Sequence, residues 1–143
     1  MAIVELRFSA LPEHVRTARL VAAAVARRAG VDEAVLDEVR LAVGEACSRA
    51  VGLHQSSGIT APVKVALIEE EKQFSIEVGD EAPHASSSDT PGGAQDVEAD
   101  VEEDEMGLAV ISGLVDDVEV TTGQDGGRIR MTWPTAPPAV ALL

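Results

Sequence analysis

Four positions in this chain are of a type and spacing that could do chemistry: Glu45 and Arg49, Asp80, and Gly107 with the apolar run behind it. Glu45 and Arg49 stand four residues apart in a segment of helical periodicity, in the Glu-before-Arg order that favours an intrahelical ion pair. The carboxylate is then half of a simple intrahelical pair. Asp80 closes an alternating segment and reads as a turn or capping residue as readily as a ligand contact. Gly107 opens a short apolar helix, where the missing Cβ relieves the backbone. Other chemistries find less support. His14, His54 and His84 are too scattered to argue for a metal, and no Ser-His-Asp or Cys-His constellation has a supporting context. Cys47, in an Ala-rich helix, reads as core filling. His54, near the end of that helix, reads as a capping or partly exposed histidine.

Composition narrows the classes. At 143 residues the chain fits one domain, and its apolar content comes from Ala, Val and Leu, with two Phe and one Trp as the only aromatics. Those three rings must carry more than their share of packing. The net charge of −14 disfavours direct nucleic-acid binding, so any effect on transcription is expected to run through another protein. One cysteine excludes an internal disulfide and fits a reducing cytoplasm. No signal-like segment and no apolar run of membrane-spanning length is present, so a cytoplasmic protein without membrane contact is expected.

The elements that must position these residues follow from periodicity. Residues 3–8 alternate as a half-buried strand. Pro12 and Glu13 open a helix to about Arg28, with Val15, Arg19, Ala22, Val25 and Ala29 at helical spacing and Gly30 as its stop. Asp32 is the expected N-cap of a second helix to about His54, with Val35, Val39, Ala42, Ala46, Ala50 and Leu53 as its buried stripe. Val63, Val65 and Leu67 alternate in one strand and Phe74, Ile76 and Val78 in the next, joined by a charged hairpin over Glu69 to Lys72. Residues 81–105 hold nine carboxylates and no Lys or Arg, which predicts a mobile acidic lid loop. A short helix from Gly107 to Leu114 then leads into two strands turned at Gly126-Gly127, and residues 134–143 form a Pro/Ala-rich tail. This order predicts a single domain over 1–133: an α+β two-layer sandwich, with a mixed, mostly antiparallel sheet and helices on one face.

That order and three segments resemble the anti-sigma factor serine kinases, the RsbW-like family within the histidine-kinase-type (GHKL) ATPase superfamily. The segments are LAVGEACSRAVGLH at 41–54, IEVGDEAPH at 76–84 and EMGLAVISGLVDDVEV at 105–120. In the first, the family has a Glu, then Asn and a His along one helix. In the second it has Asp-x-Gly-x-Gly, and in the third Gly-x-Gly before a short helix. The resemblance implies that Glu45 occupies the position of the general base, Asp80 that of the acceptor for the adenine amine, and Gly107 a phosphate-loop position. It further implies partner switching, in which a sigma factor and an anti-anti-sigma protein are bound, and a homodimer formed through the sheet edge and first helix.

The departures decide the expected activity. Arg49 falls where the family has the magnesium-binding Asn, and a guanidinium has donors only, so it repels the ion instead of ligating it. Ala82 and His84 replace the two glycines after the Asp, and Glu105 replaces the first Gly of the Gly-x-Gly. The loop expected over the phosphates is acidic. Glu45 is therefore read as a vestigial base and Asp80 and Gly107 as remnants, with no metal, and no cofactor beyond ATP and magnesium should an unorthodox site still work. The expected function is partner binding with ATP binding and kinase activity weakened or lost. The alternative is an active serine/threonine kinase of an anti-anti-sigma protein.

Overall fold

A computed structural model describes residues 2–83 and 107–135. Strand β1 (Ala2–Phe8) leads into helix α1 (Glu13–Ala29), and a 3₁₀ turn (Glu33–Val35) leads into helix α2 (Leu36–Ser56). Strands β2 (Val63–Glu70) and β3 (Gln73–Asp80) follow, then a helix α3 over 107–114, and strands β4 (Asp117–Gly123) and β5 (Gly126–Pro134). The sheet order is β1-β2-β3-β5-β4, and every pairing is antiparallel. The acidic segment expected to form a lid lies, from His84 to Glu105, outside the described residues, as does the tail beyond Thr135.

The strand periodicity predicts the inner face of the sheet. Val4, Leu67, Ile76, Met131 and Val118 form one cross-strand row, and Leu6, Val65, Val78, Ile129 and Val120 the next. The middle three of each row are buried under the helices, while the edge residues are covered less, down to Val120 at 43% exposed. Phe74 and Trp133 face each other across β3 and β5, both buried, so two of the three aromatics pack as one cross-strand pair. The indole N–H of Trp133 donates to Glu38 Oε2 of α2 at 3.1 Å, fixing sheet to helix layer.

The helices meet through small side chains. Ala18, Ala22 and Ala26 of α1 and Ala42, Ala46 and Ala50 of α2 are all buried, which brings the two backbones close. This shifts the expected stripe of α1. Its buried face runs Val15, Ala18, Ala22, Ala26, while Arg19 is exposed and lies over Gly44, its Cδ 2.8 Å from where a Cβ there would stand. Val35 and Leu53 are only half-buried, and the stripe of α2 instead includes Val43, Cys47, Val51 and His54. Asp32 caps the 3₁₀ turn, its Oδ1 accepting the Ala34 N–H at 3.0 Å, so α2 proper opens one turn later than expected. On the other face of the sheet, Glu70, Glu77, Arg128 and Arg130 form a ladder of ion pairs, and Ser75 and Thr132 share a hydrogen bond.

The last hairpin also differs from expectation. Its two-residue turn is Gln124-Asp125, and Gly126-Gly127 begin β5 instead of forming the turn. Gly126 has φ of 138°, and a Cβ on it would stand 2.2 Å from the carbonyl oxygen of Asp80. The hairpin thus sits directly on the backbone at the end of β3, and only glycine allows it.

Two predictions follow from this packing. Gly126→Ala adds a backbone clash to a left-handed φ and is expected to cost about 3 kcal/mol or more, read as a lowered urea midpoint. Burial pushes the Cys47 thiol up to about 12. Iodoacetamide at pH 8 is expected to leave it unmodified in the native protein and to alkylate it in denaturant. Because the folded state favours the neutral thiol, its contribution to stability is complete below pH 9.0 and is lost as pH rises toward 12.

Candidate functional site

The chemistry-bearing residues gather where α2 passes the end of β3. Helix α2 carries Glu45, Arg49 and His54 on successive turns, and β3 delivers Asp80 as its last residue. Asp80 is held from several directions. Its Oδ1 accepts the Ala82 N–H at 3.0 Å, closing a tight turn that buries Ala82 completely. Its backbone pairs with Gly127 of β5, beneath the Gly126 contact. Its Oδ2 faces Arg49 Nη1 at 3.8 Å, with the two side chains 2% and 5% exposed respectively.

This pair corrects the reading drawn from spacing. Among the described residues, the ion pair of Arg49 is with Asp80 on the sheet, not with Glu45 one turn back on the helix. The physical reason is burial. An i,i+4 pair at a helix surface contributes a few tenths of a kcal/mol, whereas an ionised carboxylate removed from water needs a counter-charge. The guanidinium therefore serves the more desolvated acid. Glu45 is half-buried instead, and its Oε2 lies 3.9 Å from the position a Cβ would take on Gly107 at the start of α3. The structure thus brings the four singled-out residues together as two couples, Arg49 with Asp80 and Glu45 with Gly107.

His54 is the residue that spacing misjudged. It is fully buried, neither a cap nor partly exposed. Its Nδ1 lies 2.9 Å from the carbonyl of Ala61, which has only acceptor capacity, so Nδ1 carries the proton. Its Nε2 then accepts the backbone N–H of Glu81 at 2.9 Å. One neutral imidazole thereby ties the end of α2 to the approach of β2 and to the residue after Asp80. The signal was present in the sequence, since His54 continues the Ala42, Ala46, Ala50 spacing by one more step of four.

Two depressions flank this region. One, of about 390 Å³, lies along the β4–β5 hairpin and includes Asp80, Thr121, Gln124 and Arg128. The other, of about 490 Å³, is a groove between α1 and α2 lined by Glu13, Arg16, Arg19, Leu41, Glu45 and Ser48. Among the described residues, Arg16 and Arg19 form no ion pair, whereas Arg27, farther along α1, is paired with Glu33. No group of three or more His, Cys, Asp or Glu side chains that could hold a metal occurs among the described residues. No described helix is long and apolar enough to cross a membrane.

The resemblance implies ATP and magnesium, and Arg49 and Asp80 hold the metal-ligand and adenine-acceptor positions that it assigns. The helix position from which a metal ligand would project carries a cation, and that cation already faces the carboxylate that would receive an adenine amine.

Comparison with known proteins agrees with the architecture. The structure is similar to the crystal structure of the RsbU and RsbW domains of Rv1364c from Mycobacterium tuberculosis, with a TM-score of 0.68 at 17% sequence identity. The match covers 96% of this chain and 33% of that one, so this chain spans about a third of its length. No curated protein sequence matches. Residues 8–133 match the histidine kinase-like ATPase domain family. With nearly the whole described fold inside that match, the chain belongs to the histidine kinase-like ATPase domain family.

Proposed function

We propose that this chain is a regulator of the RsbW-like anti-sigma type that acts by binding protein partners, with nucleotide binding and phosphotransfer weakened or lost. The observation that carries the reading is the buried Arg49–Asp80 pair. An adenine amine would have to compete with a guanidinium for Asp80, and a magnesium ion would have to approach that same positive charge. Neither exchange is favourable in a site this dry. The partners in this reading are a sigma factor, an anti-anti-sigma protein, or both, met in the cytoplasm.

What supports a binding role is the groove beside the site. Arg16 and Arg19 line it without an ion pair among the described residues, and Leu41, 55% exposed, stands with them. Leu20, on the exposed side of α1, is 58% exposed. Guanidinium groups beside exposed leucines suit an acidic, amphipathic partner segment. On a chain of net charge −14, Arg16 and Arg19, which share this groove with Glu13 and Glu45, are positions where an acidic partner could meet a counter-charge.

A second reading, an active serine/threonine kinase acting on an anti-anti-sigma protein, is favoured by one observation. Glu45 keeps a half-buried carboxylate beside Gly107, a position from which a base could reach a phosphate held at the start of α3.

Titration calorimetry with ATP and with ADP, each with and without magnesium, separates the two. No saturable heat is expected from the wild-type chain, and micromolar, magnesium-dependent binding would overturn the reading. Arg49→Asn removes one half of a buried ion pair and is expected to cost about 3 kcal/mol in chemical denaturation while raising ADP affinity. A variant that loses neither stability nor gains affinity would show that Arg49 does not block the site. For partner binding, Arg16→Glu with Arg19→Glu is expected to weaken capture of a sigma or anti-anti-sigma partner at least tenfold, with the thermal midpoint little changed.

A further inference from the structure

Strand β4 is the most exposed element of the sheet. It forms one edge and, among the described residues, pairs only with β5. Six of its seven residues are exposed, and Val118 is half-buried. An edge strand presents a row of backbone groups without ladder partners, and natural proteins blunt such edges with Pro, Lys, bulges or short strands. Strand β4 has none of these devices. It runs seven residues without proline or lysine, and its register against β5 is unbroken from Asp117–Thr132 to Gly123–Gly126.

The side chains beside that backbone are sorted by face. Val118 and Val120 lie on the inner face, in the rows of Met131 and Ile129, and Val120 is 43% exposed where the sheet ends. Val110, on the helix that leads into β4, is 40% exposed. Asp117, Glu119 and Thr121 alternate on the outer face, and the strand holds no basic residue. Glu119 stands opposite Arg130, but that guanidinium already bonds Glu70 and Glu77 at 3.5 and 3.6 Å. Among the described residues, neither Asp117 nor Glu119 forms an ion pair.

This pattern selects an occupant. The main chain of an edge accepts any extended segment, and alternate side chains decide which one binds. A strand pairing here sets one face beside Val118 and Val120, where apolar residues are favoured. It sets the other beside Asp117 and Glu119, where Lys or Arg is attracted and Asp or Glu repelled. A second copy of this chain does not meet that requirement. Its own β4 brings no cation in any register, and the single arginine of its β1 is bonded to Glu5 at 2.8 Å.

We propose that the β4 edge docks an extended segment of another protein, in which Lys or Arg alternates with apolar residues, as a sixth strand of the sheet. This surface is distinct from the α1–α2 groove proposed for an acidic segment, and it stands whether or not the site beside Arg49 binds nucleotide.

The peptide VKVKVTV, acetylated and amidated, is the probe, with VEVEVTV as its charge-reversed control. Each is titrated into the isotope-labelled full chain and followed by NMR. The cationic peptide is expected to shift amide resonances of residues 117–123 saturably, and the acidic one to leave them unmoved. One short strand covers less surface than a stable interface, so saturation is expected at roughly millimolar peptide. N-methylation of two adjacent central residues removes a ladder donor whichever way the strand faces, and is expected to abolish the shifts. Asp117→Lys with Glu119→Lys is expected to weaken the cationic peptide about tenfold and to admit VEVEVTV in its place. Both positions are exposed, and unchanged resonances of β1 to β3 check that the variant folds. No saturable shift at several millimolar peptide overturns the proposal, as do shifts that persist with the N-methylated peptide or centre on the α1–α2 groove. Shifts of β4 that follow the concentration of the chain alone assign the edge to a second copy, and overturn it too.

Discussion

The constraint on which this site depends is a buried carboxylate at the end of a central strand. Asp80 leaves β3 where the sheet meets the helix layer, and its side chain is almost completely removed from water. A charge so placed is costly unless its oxygens are paired. The surroundings are arranged to do that: the Ala82 N–H on one oxygen, Arg49 opposite the other, and the backbone pinned by Gly127 through the sheet. Gly126 is then forced, because the hairpin crosses the Asp80 carbonyl at a distance no Cβ allows. The hairpin, the turn and the helix face are all fitted to one acid.

On the proposed reading, this arrangement lets a nucleotide fold keep its shape without nucleotide. In a domain that binds ATP, ligand and metal would supply counter-charge and order around such an acid. Here the chain supplies both itself. Arg49 provides the positive charge, and His54 bonds the residue after Asp80 to the end of α2 while its other nitrogen holds Ala61. Neither interaction is large alone, but they act on adjacent residues of one segment and on one helix. Their effects are therefore coupled, and removing one leaves the other more strained than a sum of single contacts suggests.

The sheet and the helices were legible because their signals are periodic. Alternation in β2, β3 and β5 placed nearly every inner-face residue correctly, and Gly30 marked the end of α1 with φ of 104°. The α+β sandwich follows from that order. What could not be read was which partner each would choose. Glu45 and Arg49 at i,i+4 are a sound local match, and nothing local reveals that Asp80 will arrive from the sheet as a drier competitor. His54 failed for a related reason. An imidazole on a buried stripe is read as polar until both nitrogens are seen to be satisfied. Periodicity reports which face a residue occupies, while tertiary contacts decide how a polar atom on that face is paired.

Charge placement connects the site to the proposed role. Six of the eleven basic residues lie on α1 and α2, on a chain whose carboxylates outnumber its cations by 14. Most of these arginines are committed: Arg27 to Glu33, Arg28 to Glu69, Arg40 to Asp37 and Arg49 to Asp80. Arg16 and Arg19 stand apart from that pattern at the groove between the helices. A surface ion pair contributes little to stability, so leaving two arginines without one costs the fold almost nothing. It leaves two guanidinium groups at the groove beside Glu13 and Glu45, which on the proposed reading are open to an acidic partner segment. On the proposed reading, the fold loses the chemistry of its nucleotide site and keeps a directed binding surface. The residues that stabilise the first, Arg49 and His54, and those that form the second, Arg16 and Arg19, share no side chain.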